Sequence, residues 1–189
     1  VFYVLGMLND YNGRDVVEGA DYVEHLYCNE GPLIDEFRSA LERLAREQGL
    51  RAPVEARPQD CLTLFSSSEL AARLNSCYQY EFTDDRSVGR PDGPGRRRLA
   101  SGAFNFGLLY RNGGVDRVRA RAYVAGAWRR WGGDGQFRFA NASEKAEGIA
   151  MLLSQLGCSS VSVEHTVGMI PGGWTVRFVP TAEVSSWLE

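Results

Sequence analysis

The sequence has little lysine and histidine and no long apolar segment. Of its 21 basic residues only Lys145 is a lysine, and the only histidines are His25 and His165. Two histidines far apart in the chain supply few groups for acid–base catalysis near neutral pH. No apolar run approaches the roughly 20 residues that span a bilayer, so we expect no membrane insertion.

Metal and cofactor motifs are also missing. Cys28, Cys61, Cys77 and Cys158 are scattered, without the C-x-x-C pairs of structural zinc sites. We therefore expect four free thiols, buried or half-buried. The sequence has no P-loop, no cofactor-binding motif and no Ser-His-Asp or Cys-His-Asp arrangement, so it predicts no cofactor.

Charge is unevenly distributed along a chain whose net charge is only -3. Residues 1–85 carry sixteen acidic and seven basic side chains, residues 86–138 three and twelve, and residues 139–189 five and two. The basic middle stretch is all arginine, whose planar guanidinium binds phosphate or carboxylate with two hydrogen bonds. It either binds RNA phosphates or an acidic protein surface, or balances the acidic first half of the same molecule. The candidate binding residues are Arg96, Arg97, Arg98, Arg117, Arg119, Arg121, Arg129 and Arg130.

One order of sequence patterns occurs twice. The letters VLGML at residues 4–8 precede an amphipathic helical pattern that closes at Gly49, and VAGAW at residues 124–128 precedes one that closes at Gly157. Alternating strand patterns and a short terminal helix follow each long helix. This order predicts two αββαββα repeats, over residues 1–82 and 117–189, joined by an Arg-, Gly- and Pro-rich linker over 83–116. The first strand of the second repeat is predicted to be short or missing.

The repeated pattern resembles the single-chain LAGLIDADG homing endonucleases. Leu5-Gly6 and Ala125-Gly126 match the start of that motif. The resemblance implies an α+β fold whose antiparallel sheets form a saddle and whose two motif helices pack at a central pseudo-two-fold axis. A glycine inside a helix costs about 1 kcal/mol relative to alanine. We therefore expect Leu5, Gly6, Ala125 and Gly126 to line an interface where two backbones approach closely.

The resemblance also implies a metal-binding carboxylate at the foot of each motif helix, and the sequence departs from the family there. Aligned without gaps, the two acidic positions hold Tyr11 and Trp131. Magnesium prefers hard oxygen ligands, and an indole offers no acceptor. Only a shifted register would bring Asp10 and Asp134 to the axis. We expect no catalytic residue and no metal; Mg²⁺ on Asp10 and Asp134 belongs to the alternative of a working endonuclease or intron maturase.

These observations give the hypothesis of a non-catalytic binding or scaffolding module derived from a LAGLIDADG-type endonuclease. We expect it to act as a subunit of a larger ribonucleoprotein or multi-subunit complex, for example in an organelle, with other protein subunits, RNA or both as partners. Duplex DNA fits less well, because a DNA saddle needs many basic side chains and the strands of the first repeat are acidic. Aromatic residues such as Tyr22, Tyr27 and Trp174 are instead expected in the sheets. A DNA-binding regulator without nuclease activity is the second alternative.

Overall fold

The chain has two copies of one element order. A computed structural model describes residues 1–10, 14–17, 21–83, 99–166 and 172–189. The first copy consists of α1 (Phe2–Met7), β1 (Arg14–Val17), β2 (Tyr22–Tyr27), α2 (Gly31–Glu47), β3 (Glu55–Gln59), β4 (Leu62–Ser66) and α3 (Ser68–Asn75). The second consists of α4 (Arg117–Trp131), β9 (Gly132–Gly133), β10 (Gln136–Ala140), α5 (Ser143–Gln155), β11 (Ser159–Thr166), β12 (Gly173–Val179) and α6 (Ala182–Ser185). The predicted α+β fold of two αββαββα repeats is confirmed, including the short first strand of the second repeat.

Four further strands lie between the copies: β5 (Tyr78–Thr83), β6 (Leu99–Phe104), β7 (Tyr110–Arg111) and β8 (Gly114–Val115). All strand pairs in the described residues are antiparallel. The second repeat forms the sheet β11-β12-β10-β9, whereas the corresponding sheet of the first repeat has the order β2-β4-β3. Strand β1 instead pairs with β6, and β6 pairs with β5 on its other side. The described pairing of the two repeats therefore differs at their first strand.

The described part of the predicted linker, residues 99–116, is folded and packed. Strand β6 pairs with β5 from Tyr78 opposite Phe104 to Thr83 opposite Leu99. The Phe104 ring stacks on Tyr123 of α4 with centroids 4.6 Å apart. The composition of this stretch gave no sign of that pairing, because strand partners distant in sequence leave no local pattern. Residues 84–98, with Arg96, Arg97 and Arg98, lie outside the described residues.

Helix α2 forms because its apolar residues recur at three- and four-residue steps. Phe37, Leu41 and Leu44 are buried on that face, and each contributes about 1.5–3 kcal/mol of burial free energy. The helix ends at Glu47, and Gly49 beyond it has a φ of +65°, which suits a residue without a Cβ. The amide of Leu50 then donates to the carbonyl of Ala45 at 2.9 Å, which closes the last turn. Gly157 follows the end of α5 at Gln155 in the same way, with φ +83°.

The helices α1 and α4 cross with their glycines in direct contact. A Cβ on Gly6 would overlap the carbonyl oxygen of Tyr123 and lie 2.7 Å from the amide nitrogen of Ala127. A Cβ on Gly126 would overlap the carbonyl oxygen of Tyr3. Only glycine permits this approach of two backbones. The structure thus places Gly6 and Gly126 at one helix crossing, with Leu5 buried beside them and Ala125 half-buried.

The core of the second repeat is aromatic. Phe137 of β10 stacks on Phe178 of β12 at 5.6 Å and meets the Trp128 ring edge-on at 5.1 Å. Such pairs add roughly 0.5–1.5 kcal/mol beyond the burial of their area. This packing fixes the last turns of α4 over the sheet. None of the helices in the described ranges is both long and apolar enough to cross a membrane.

Candidate functional site

The feet of α1 and α4 meet at a buried group of charged side chains. Helix α1 ends at Met7 and the chain continues in extended conformation from Leu8, which leaves carbonyls of its last turn without helical partners. Asp10 follows in this extended segment. Two cationic side chains of the second repeat reach these carbonyls, and two acids of the first repeat lie beside them. We call this group the foot cluster: Asp10, Glu24, Arg130 and Lys145.

Arg130, in the last turn of α4, is the most extensively bonded member of the foot cluster. Its side chain is fully buried. The guanidinium donates to the carbonyl of Met7 at 2.8 Å, to that of His25 at 3.1 Å and to the Glu30 carboxylate at 2.7 Å. Glu24 lies 3.4 Å away, and the guanidinium stacks 4.5 Å from the centre of the Trp131 ring. Each donor direction of the planar group is thereby used inside the protein.

Lys145 is the second cation of the foot cluster. It projects from the apolar face of α5 and is 2% exposed. Its ammonium donates to the carbonyl of Leu8 at 2.5 Å and lies 3.3 Å from Asp10 Oδ2. Burial lowers the pKa of Lys145 from its usual 10.5, while the nearby Asp10 charge acts in the opposite direction.

The two acids of the foot cluster are held by hydrogen bonds as well as by charge. Asp10 Oδ1 accepts from the Tyr78 hydroxyl at 2.7 Å, and burial raises the pKa of Tyr78 well above 10, with the Asp10 charge adding to the effect. Glu24 accepts from the backbone amides of Asn9 and His25. Burial, followed by the Glu24 charge, likewise raises the pKa of Tyr22. These contacts hold both carboxylates in place.

The foot cluster does not fit a divalent cation. Magnesium is held by carboxylate, carbonyl and water oxygens, and it requires them to be free to turn toward it. Here the carboxylates of Asp10 and Glu24 and the carbonyls of Met7 and Leu8 already face ammonium or guanidinium groups. Across the described ranges, no three histidine, cysteine, aspartate or glutamate side chains are grouped to hold a metal.

The structure does not bring the two acids of the endonuclease alternative together. Asp10 is 6% exposed and touches Tyr78 and Lys145. Asp134 lies in the turn between β9 and β10 with φ +51°, and its largely exposed carboxylate pairs with Arg138 at 3.4 Å. Two other residues align with the acidic positions of the family motif. Trp131 is the last residue of α4 and contacts Arg130, and Tyr11 lies outside the described residues.

Most of the described candidate arginines are paired within the molecule. Arg129 donates to Glu36 at 2.6 Å, and Arg117 pairs with Glu183. Arg119 pairs with Asp116 at 3.3 Å. Together with the buried Arg130, these side chains balance acidic residues of the same chain. Arg121 is exposed.

The outer face of the first-repeat sheet carries little net charge. Tyr27 is 46% exposed there, beside the half-buried Leu62 opposite it on β4. On the neighbouring strand β3, Glu55 and Arg57 pair with each other. In the second repeat the half-buried Trp174 stacks on His165 at 4.4 Å. These faces offer aromatic and apolar surface and few free cations.

Sequence reasoning missed Glu24 and Lys145 as members of a site. The signal for Lys145 was present: the only lysine of the chain stands on the apolar stripe of α5, four residues before the buried Ile149 and seven before Leu152. A charged residue on such a stripe is almost always paired when buried. The signal for Glu24 was weaker, because it interrupts a short strand between the buried Val23 and the half-buried His25.

Comparison with known proteins defines the class of fold. No protein-family model matches the chain, and no curated protein matches it. Solved structures do match: the described architecture is a LAGLIDADG-like fold. The particular neighbours are structures of the homing endonuclease I-DmoI. Mesophilic variants of I-DmoI match with a TM-score of 0.61 over 98% of this chain and 90% of that chain, at 13% identity.

A second I-DmoI structure, in complex with DNA and Ca, matches with a TM-score of 0.52 over 97% of this chain and 84% of that chain, at 14% identity. A nicked-DNA complex of an I-DmoI variant with Mn matches with a TM-score of 0.56 over 98% and 93%, at 14% identity. At this level of identity the likeness concerns the fold, and the chemistry of the site has to be argued from the residues of this chain.

Proposed function

We propose that this chain is a non-catalytic binding module with a LAGLIDADG-like fold, in which the metal site of a nuclease has been replaced by an internal ion-pair cluster. The observation that carries the proposal is the foot cluster. Arg130 and Lys145 lie between the carboxylates of Glu24 and Asp10 and the carbonyls of Met7 and Leu8, to which they donate.

The position of Arg130 supports loss of a nuclease centre. Arg130 stands four residues after Gly126, as Asp10 stands four residues after Gly6. Related positions of the two repeats thus hold one acid and one cation. A pair of acids at these positions could share a divalent cation, whereas here Arg130 lies 3.4 Å from Glu24 and Lys145 lies 3.3 Å from Asp10, so each acid is paired with a cation. Removing one partner of such a buried pair costs about 3–5 kcal/mol, so a metal ion cannot displace them cheaply.

The surface supports a partner other than duplex DNA. A protein that follows a duplex neutralises many phosphates, and its affinity falls steeply with salt. In this chain Arg117, Arg119, Arg129 and Arg130 are paired internally. The outer sheet face presents Tyr27 instead. Aromatic residues with few charges are typical of protein interfaces and of surfaces on which single-stranded bases stack. We therefore infer a role as a subunit of a ribonucleoprotein or multi-subunit assembly.

Two measurements test the loss of catalysis. Incubation of the full chain with supercoiled plasmid DNA and Mg²⁺ or Mn²⁺ should give no nicked or linear product, and calorimetric titration with Mn²⁺ should show no saturable binding. Cleavage that disappears in Asp10→Asn and persists in the surface variant Asp134→Asn would overturn the proposal.

A third measurement tests the binding role. The tagged chain, purified from its native cells, should elute in a complex with RNA or with other protein subunits in fixed stoichiometry. Treatment with ribonuclease separates the two kinds of partner, because it releases the chain only from an RNA-dependent assembly. Elution as a free monomer, with duplex DNA as the one ligand bound, would favour the DNA-binding regulator instead.

A further inference from the structure

Two of the four cysteines are buried, and the other two are exposed and in contact with each other. Cys77 and Cys158 are each 8% exposed. Cys28 and Cys61 are both exposed, contrary to the expectation of buried or half-buried thiols. Their sulfur atoms are 2.7 Å apart. This distance is shorter than the contact between two non-bonded sulfurs and longer than the roughly 2.05 Å of a disulfide bond.

The backbone explains why these two residues meet. Strands β2 and β4 are antiparallel, and their last paired residues are Tyr27 and Leu62. Cys28 and Cys61 are the next pair in the same register, and the amide of Cys28 donates to the carbonyl of Cys61 at 2.9 Å. Opposite residues of an antiparallel ladder have Cα atoms roughly 4.5–5.5 Å apart. That separation lies inside the roughly 4.4–6.8 Å that a disulfide spans, so the bond can close without a backbone movement.

We propose that Cys28 and Cys61 are a redox modification site that forms an intramolecular disulfide by exchange with a small-molecule disulfide such as oxidised glutathione. One cysteine thiolate attacks a glutathione sulfur, forms a mixed disulfide and releases one glutathione thiolate. The thiolate of the other cysteine attacks the protein sulfur of that mixed disulfide and releases the second glutathione. The two protein thiols are oxidised, one glutathione disulfide is reduced to two thiols, and the two protons pass to the released glutathione.

The position of this pair gives the bond a structural effect. Cys28 begins the short 3-10 turn Cys28–Glu30, and Cys61 lies in the turn between β3 and β4. Glu30, at the end of the 3-10 turn, accepts from the amide of Tyr27 at 2.8 Å and pairs with Arg130. The disulfide therefore closes a loop that contains α2 and β3 and anchors the segment that presents Glu30 to the foot cluster. Closing a loop of this kind restricts the unfolded chain, so the oxidised form resists denaturant better.

The test uses the full chain, reduced and then equilibrated in buffers of defined oxidised-to-reduced glutathione ratio. Intact mass spectrometry should show the loss of two hydrogen atoms without a glutathione adduct, and peptide mapping should link Cys28 to Cys61. The number of accessible thiols titrated in the native state should fall from two in the reduced chain to none in the oxidised chain. The midpoint of unfolding in urea should be higher for the oxidised chain than for the reduced chain.

Single variants separate this proposal from general thiol reactivity. Cys28→Ser and Cys61→Ser should each retain one mixed disulfide with glutathione, because the attacking partner is missing. Cys77→Ser is the matched control and should still form the bond. Circular dichroism of the reduced variants confirms that they fold. A doubly glutathionylated wild-type chain, a disulfide that links Cys77 or Cys158, or dimers linked between chains would each overturn the proposal.

Discussion

Replacement of Lys145 by methionine gives the sharpest test of the foot cluster. The change keeps an unbranched apolar stem but removes the ammonium that donates to the Leu8 carbonyl and lies 3.3 Å from Asp10. Asp10 is then buried with a single hydrogen bond from Tyr78, and the Leu8 carbonyl loses its donor. Breaking one partner of a buried pair typically costs about 3–5 kcal/mol. We expect the free energy of unfolding of Lys145→Met to fall by that amount.

The assay is urea unfolding at neutral pH, followed by circular dichroism, on the wild type, Lys145→Met, Asp10→Asn and the double variant. Residues in one ion-pair network couple by about 0.5–3 kcal/mol, so the double variant should lose less stability than the sum of the single losses. Arg121→Met, on the exposed surface of α4, is the control and should stay within about 0.5 kcal/mol of the wild type. A loss below about 1 kcal/mol for Lys145→Met, or strict additivity, would refute the reasoning.

The pH dependence of the same variant follows from the direction of its pKa shift. Burial lowers the pKa of Lys145 below 10.5, so the unfolded chain binds this proton more tightly than the folded chain. Between the pKa of Lys145 in the folded chain and 10.5, the free energy of unfolding therefore rises with pH. This gain in stability is lost again as the pH falls through the pKa of the folded chain. Subtracting the stability curve of Lys145→Met from that of the wild type should reveal this rise; a flat difference would contradict the shift.

Three further expectations concern the helix crossing and the buried hydroxyl and guanidinium groups. Gly126→Ala should destabilise the protein by about 1–3 kcal/mol or more through overlap with the Tyr3 backbone, whereas Gly31→Ala, with open space around it, should change the free energy of unfolding by less than about 0.5 kcal/mol. The raised pKa of Tyr78 means that wild-type stability falls as pH rises above 10, and Tyr78→Phe should reduce that fall in alkaline urea titrations. Arg130→Met should cost about 3–5 kcal/mol by leaving Glu24 and Glu30 unpaired; a loss comparable to that of a surface variant would contradict its burial.

Much of the fold could be predicted from sequence because its signals are local. The apolar steps of α2 and the left-handed residue Gly49 depend on neighbours within a few positions, and the structure has both. The duplication itself was visible as a repeated order of such signals. The pairing of β1 with β6 could not be predicted in this way, because it joins segments separated by most of the first repeat.

The site depended on contacts between distant residues. Arg130 stands 123 positions from the carbonyl of Met7 that it binds, and Lys145 stands 137 positions from that of Leu8. A basic residue on a surface and a basic residue in a buried ion pair have the same local sequence signature. The sequence therefore could not show whether Arg130 is a surface binding residue or part of a buried ion pair. The contact of Cys28 with Cys61 likewise appears only once β2 and β4 are in register.

Outside the predicted linker over 83–116, the sequence by itself determined most of the segments that become helices and strands, that they come twice, and that glycines mark the two motif helices. Those properties follow from periodicity, caps and turns, which act over a few residues. Only the tertiary structure decided that the feet of these helices bring together two acids and two cations in buried ion pairs. Neutralisation of a buried charge depends on which groups the fold brings within a few ångströms, and chain order does not set that distance.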